Sequence, residues 1–150
     1  MSSQAKEIRD LIYQILRSLE ICNRDTCSCY SVTPLQCLVL FEVAARQPLG
    51  MQKLAQQLQL AVSTMSRVVD KLVEGGLICR QEDKNDRRLV LCSLTEEGQK
   101  VTQELENCYN EFFSRLIANI PEDDRTGFLV GLRIMAKQLQ GCGNSCGCKE

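Results

Sequence analysis

The chain has 150 residues, 44% of them hydrophobic and 25% charged, and a formal net charge of -1 from 18 basic and 19 acidic side chains. That length supports one domain with a genuine core, without disulfide staples. The near-neutral balance excludes a bulk polyelectrolyte role on nucleic acid, so any such contact must come from a local basic patch. No apolar run is long enough for a membrane span. The polar start Met1-Ser-Ser-Gln-Ala-Lys carries no signal-like apolar stretch, so a cytoplasmic location is expected. Histidine is absent and cysteine occurs ten times. In a reducing compartment that usage points to metal or redox chemistry rather than a disulfide framework.

In chain order, Ala5 to Leu19 predicts an amphipathic helix, with Ile8, Leu11, Ile12, Ile15 and Leu19 on one face. Cys22 to Ser31, rich in Asn, Asp, Ser and Thr, predicts a loop. Thr33-Pro34 opens a second helix that runs towards Ala45, with Thr33 as its N-cap. Pro48-Leu49-Gly50 is a break. Two short helices follow, Met51 to Leu58 and Val62 to Glu74, the latter stopped by Gly75-Gly76. Their close spacing is that of a helix-turn-helix. Leu77 to Glu82 and Arg88 to Leu94 predict a β-hairpin wing around the polar turn 83–87. Thr95 opens a long helix to about Ile117, and Pro121 a last one ending at Gly141, before a loop-like tail. The expected fold is therefore mainly α with a small β-wing: a winged helix-turn-helix at about 33–98, flanked by dimerising helices at about 5–21 and 99–140. Residues 141–150 form a cysteine-rich tail. The long apolar stripes of the terminal helices predict a homodimer.

Several strings resemble the MarR family of bacterial regulators: Leu54-Ala55-Gln56-Gln57-Leu58, Ser63-Thr64-Met65-Ser66-Arg67-Val68-Val69-Asp70-Lys71-Leu72 and Gly76-Leu77-Ile78. The most specific is Asp86-Arg87-Arg88 followed by Ser93-Leu94-Thr95-Glu96-Glu97-Gly98. The resemblance implies a homodimer on a near-palindromic double-stranded operator, with the second helix of the motif in the major groove and the wing in the minor groove. It implies a transcriptional regulator, with repression the expected sign. No triad can be built without histidine and no glycine-rich phosphate loop occurs, so no enzyme is expected. Two positions depart from the pattern: Gln59 stands where the family commonly carries glycine, and Ala61 where it often carries a capping serine.

Met65, Val69 and Leu72 are expected in the core, which leaves Ser63, Thr64, Ser66, Arg67 and Lys71 facing DNA. Short hydroxyls reach base edges or phosphates, and a guanidinium reads guanine bidentately or clamps phosphate. On the wing, Lys84, Arg87 and Arg88 are the candidate contacts, with Arg88 suited to a narrow minor groove and Asp86 holding an arginine in place.

Six cysteines form two clusters, Cys22-x4-Cys27-x-Cys29 and Cys142-x3-Cys146-x-Cys148. On irregular backbone such spacing turns three thiolates onto one soft ion, such as As(III), Sb(III), Hg, Cd, Cu(I) or Zn. An iron–sulfur cluster and a thiol redox switch are the alternatives. A cysteine-rich metal buffer without DNA binding is the rival of another class, and it has no use for a basic wing. Cys108, on an apolar helical stripe, is expected in the core, Cys37 is expected to be structural, and Cys79 and Cys92 are expected to pair across the hairpin as small apolar residues.

Overall fold

A computed structural model describes residues 3–84, 86 and 89–142, with the side chains of 140–142 outside that description. The chain divides into two compact units, Met1–Cys108 and Tyr109–Glu150. Six helices and a three-stranded sheet are described: α1 (Ser3–Ser28), α2 (Pro34–Arg46), β1 (Leu49–Gly50), α3 (Met51–Gln57), α4 (Val62–Glu74), β2 (Ile78–Glu82), β3 (Val90–Leu94), α5 (Glu96–Ala118) and α6 (Glu122–Cys142). This is the expected order of helices around a wing.

The core of the first unit is built by α2, α3, α4 and the sheet. Val39, Leu40, Val43, Leu54, Met65, Val69, Leu72 and Ile78 are all fully or almost fully buried. The predicted core face of α4 is thus the observed one. Thr33 caps α2 as predicted. Its hydroxyl accepts from the Gln36 amide at 3.2 Å, and the Gln36 side chain accepts from the Thr33 amide at 2.7 Å, a reciprocal capping box.

α1 differs from the expectation. The segment read as a loop from Cys22 remains helical to Ser28. Propensity loses to packing here: Cys27 is fully buried, and the Ser28 hydroxyl donates to the Asp25 carbonyl at 2.8 Å within the last turn. The helix then closes with Ser31 in the left-handed region at φ 56°. Ser31 N–H reaches Ser28 O and Val32 N–H reaches Cys27 O, both at 3.2 Å, which is a Schellman stop. The same stop ends α3 at Gln59 (φ 53°) and α4 at Gly76 (φ 71°), with Leu60 N–H to Ala55 O and Leu77 N–H to Leu72 O, both at 2.9 Å. Only α4 uses glycine where the backbone asks for it.

The sheet order is β1-β3-β2, antiparallel throughout. The wing hairpin is as predicted, and β1 is an addition. Leu49 and Gly50 pair with Cys92 and Leu91, so the segment read as a break contributes an edge strand. The hairpin register sets Cys79 opposite Ser93 and Arg80 opposite Cys92. The two wing cysteines therefore do not form the expected cross-strand pair. Cys79 Sγ contacts the Ser93 carbonyl at 3.5 Å, whereas Cys92 is buried with its Sγ 3.6 Å from Met51 Sδ.

In the second unit, α5 ends in a turn closed by Ile120 N–H to Ile117 O at 3.0 Å. α6 then starts with Glu122, Asp123 and Asp124, acids that suit the positive end of a helix dipole. It reaches Cys142, one residue beyond the predicted end. Its apolar side chains Leu129, Val130, Leu132, Ile134 and Leu139 stand exposed, as do Ile8, Leu11, Ile15 and Leu16 of α1 in the first unit. Among the described residues no helix is long and apolar enough to cross a membrane.

Candidate nucleic-acid interface and thiol groups

Helix α4 is amphipathic. Met65, Val69 and Leu72 face the core, while Ser63, Thr64, Arg67 and Lys71 are exposed and Ser66 is half-buried. One helix face thus carries three hydroxyls and two cations. Lys71 Nζ is 2.8 Å from Glu74 Oε2, and that bond raises the lysine's pKa further above its ordinary value. Arg67 carries an exposed guanidinium on this face.

The helix start has no side-chain cap. Ala61 holds the N-cap position at φ -63°, ψ 141°, with no hydroxyl to meet the first amides. Those amides face solvent at the positive end of the dipole, where a phosphate can take them.

An ion pair that the sequence reading missed joins this helix to the wing: Arg80 Nη1 lies 2.6 Å from Asp70 Oδ1. Arg80 sits on β2, opposite Cys92. Burial pushes the Cys92 thiol's pKa up, and the positive charge of Arg80 partly opposes that rise. Asp70 and Arg80 therefore tie α4 to the first wing strand. Asp70 and Glu74 are the two acids of α4, and Glu74 already has Lys71 as its partner one turn back, which leaves Asp70 for a cation on another element.

The base of the wing is fixed more rigidly still. Thr95 Oγ1 donates to Gly76 O at 2.6 Å and accepts from Gly98 N–H at 2.9 Å, while Thr95 N–H reaches Leu77 O at 3.0 Å. Thr102 Oγ1 then donates to Gly98 O at 2.6 Å. A β-carbon at Gly98 would lie 1.9 Å from Leu77 O, so only glycine permits this approach. The Leu94-Thr95-x-x-Gly98 string is thus the physical joint between the end of α4, the wing and α5.

At the wing tip, Asp83 N–H bonds Leu89 O at 3.0 Å, Leu89 N–H bonds Asp86 O at 2.9 Å, and the Asp83 carboxylate accepts from Asp86 N–H at 3.3 Å. Lys84 is exposed and Asp86 half-buried. The predicted contacts Arg87 and Arg88 lie outside the described residues. Between the wing, α3 and the start of α4 runs a half-open groove of about 890 Å³, lined in part by Met51, Val62, Leu89 and Leu91.

The first cysteine cluster is taken apart by the extra length of α1. Cys27 is buried, Cys22 half-buried and Cys29 exposed. A five-residue step turns a helix by about 140°, and seven residues rise about 10 Å, so neither Cys27 nor Cys29 stands beside Cys22. A single trigonal ion does not fit these three sulfurs while α1 is helical. Among the described residues no group of three or more Cys, Asp or Glu is gathered to hold a metal ion. Of the second cluster, Cys142 ends α6 with its side chain outside the described residues, as are Cys146 and Cys148 entirely.

A different thiol contact replaces the expected one. Tyr30 Oη lies 3.6 Å from Cys108 Sγ, joining the stop of α1 to α5. The phenol is pushed up to about 12, first by the bond to Cys108, then by desolvation, then by the charges of Cys108, Glu104 and Cys29. Cys108 is half-buried, not a core residue, whereas Cys37 is buried in α2 as expected.

Residues 32–90 match the sequence model of the MarR family. The chain is 29% identical over 122 residues to the HTH-type transcriptional regulator YhbI of Bacillus subtilis, covering 79% of this chain and 77% of that one. It is 28% identical over 109 residues to the HTH-type transcriptional repressor MdtR of the same organism, with 73% and 68% covered. Among solved structures it resembles a MarR transcriptional regulator from Methanosarcina mazei (TM-score 0.77, 24% identity, 91% and 98% covered). It also resembles FabT of Streptococcus pneumoniae, solved in complex with DNA (TM-score 0.87, 14% identity, 91% and 98% covered).

Proposed function

We propose that this chain, a MarR-family DNA-binding transcriptional regulator, works as a homodimer that grips a near-palindromic operator with α4 and the wing, and that chemistry at its thiols resets that grip. The carrying observation is the face of α4: hydroxyls and the Arg67 guanidinium stand exposed opposite a fully buried apolar face, and Asp70 ties that helix to the wing through Arg80. On this reading Ser63, Thr64, Ser66, Arg67 and Lys71 meet the major groove. Lys84, Arg87 and Arg88 meet the minor groove and its phosphates, with Asp86 orienting an arginine. The exposed apolar side chains of α1 and of α6 support dimerisation, since stripes of that length are buried in stable proteins. The sign of regulation is repression, as in the transcriptional repressor MdtR.

Control belongs to the thiols. Ten cysteines and no histidine select a soft, thiophilic effector, a metal or metalloid ion. The candidate ligands remain Cys22, Cys27, Cys29, Cys142, Cys146 and Cys148. A coupling of about 1–3 kcal/mol between effector and operator suffices for a switch of roughly 5–150-fold.

The test is a fluorescence-anisotropy titration of the chain's own promoter duplex against a scrambled duplex. Preference for the promoter supports the reading, and equal, weak binding to both contradicts it. In the same assay the exposed-site variant Cys29→Ser keeps operator binding and loses the response to arsenite or mercuric ion. A Cys29→Ser protein that is folded by circular dichroism yet no longer binds the operator without effector contradicts thiol control.

A further inference from the structure

We infer that Cys29 and Cys108, on either side of Tyr30, are the sulfur pair that captures a trivalent arsenical or antimonial. The inference deepens the thiol-control reading and rests on it. It follows from the disagreement between sequence spacing and structure. The helical extension of α1 buries Cys27 and sets Cys22 roughly 10 Å from Cys29 along the axis. Cys29 is exposed at the end of that helix, its thiol donating only to the Asp25 carbonyl at 3.5 Å. Its second sulfur must come from another element, and the fold supplies one. Cys108 on α5 meets the phenol of the next residue, Tyr30, at 3.6 Å.

For an arsenical that already carries one organic group, two sulfurs suffice. A monosubstituted arsenic(III) oxide and two thiols give two As–S bonds and one water. The As=O and both S–H bonds break, and no atom changes oxidation state. A dithiol therefore satisfies the metalloid, and no third ligand or oxidant is required. The bridge would displace the Tyr30 hydroxyl from Cys108.

The position gives the capture a route to the DNA-facing elements. Tyr30 lies inside the Schellman stop of α1, immediately before the capping box that starts α2. Cys108 stands about 15 Å along α5 from Gly98, whose backbone abuts Leu77 at the base of the wing. A bridge from Cys29 to Cys108 thus ties the end of α1 to the helix that fixes the wing.

The experiment is anaerobic addition of phenylarsine oxide to the full chain without competing thiol. It is read by intact mass and by mapping which cysteines are protected from alkylation. The expected result is protection of Cys29 and Cys108 together, lost in Cys29→Ser and in Cys108→Ser, and retained in Cys22→Ser and in a Cys146→Ser, Cys148→Ser variant. Tyr30→Phe, which keeps the ring but removes the hydroxyl, retains the adduct and serves as the folding control. Protection confined to other cysteines, or unchanged adduct formation in Cys108→Ser, overturns the pair. Operator binding measured in parallel separates the two ideas. If the arsenical still releases or tightens DNA in Cys108→Ser, thiol control stands and this pair falls. If no variant, nor the parent chain, responds, thiol control itself falls.

Discussion

The winged-helix head and the cysteine cluster at the end of α1 are equally conspicuous as strings, yet only the head's local strings became local structure. Thr33-Pro34, the Gly75-Gly76 stop and Leu94-Thr95-x-x-Gly98 each became the cap, stop or joint that its residues dictate. Such motifs act on the backbone within a turn or two, so spacing in sequence is spacing in space. The cluster Cys22, Cys27, Cys29 is a claim about side chains converging on one point, and that depends on the conformation between them. Once α1 stays helical to Ser28 the three sulfurs diverge, and the thiol nearest Tyr30 comes from α5 instead.

The sharpest way to break the local side of this contrast is Gly98→Ala. Its added carbon would fall 1.9 Å from a backbone oxygen that has no flexible end to move aside. We expect a loss of about 3 kcal/mol or more, at the upper end of overpacking costs, seen as a lower urea midpoint and weakened operator binding. Unchanged stability would show that α5 does not rest against Leu77 in solution.

Smaller changes should move the other way, because the head departs from the ideal at two helix ends. Gln59→Gly removes the side-chain cost of a left-handed residue and should stabilise by about 1 kcal/mol. Ala61→Ser restores a hydroxyl cap to α4 and should also add about 1 kcal/mol. The same denaturation assay reads both. A destabilising Gln59→Gly would mean that the turn conformation is wrong.

The smallest effect sharpens the other side. Tyr30 is raised to about 12 in the folded chain against an ordinary 10.0. An acid whose folded value is raised contributes stability below its unfolded value and loses it as pH climbs from about 10 to about 12. Phenolate absorbance should therefore show one tyrosine ionising late. Cys108→Ala should bring that component back towards the ordinary range, whereas an unaltered titration would remove Cys108 as the cause.

What was illegible in the sequence has a common physical origin. β1 is two residues long, too short for any periodicity to register. The last turns of α1 are rich in residues that favour loops, and they are helical with Cys27 buried against the rest of the unit and the Schellman stop closing them. The Tyr30–Cys108 contact joins residues 78 apart, and Asp70–Arg80 joins a helix to a strand. The core face of α4 was legible because helical period alone decides it: Met65, Val69 and Leu72 are inside and Arg67 is outside.

That last residue offers the most direct test that α4 and the wing grip duplex operators. Operator binding by Arg67→Ala should be compared with that of the parent chain across a range of salt concentrations, with circular dichroism as the folding control. The account predicts a folded variant that binds the promoter duplex about 1–3 kcal/mol more weakly, with less preference over scrambled DNA. A folded Arg67→Ala protein with undiminished promoter affinity and an unaltered salt slope would contradict it.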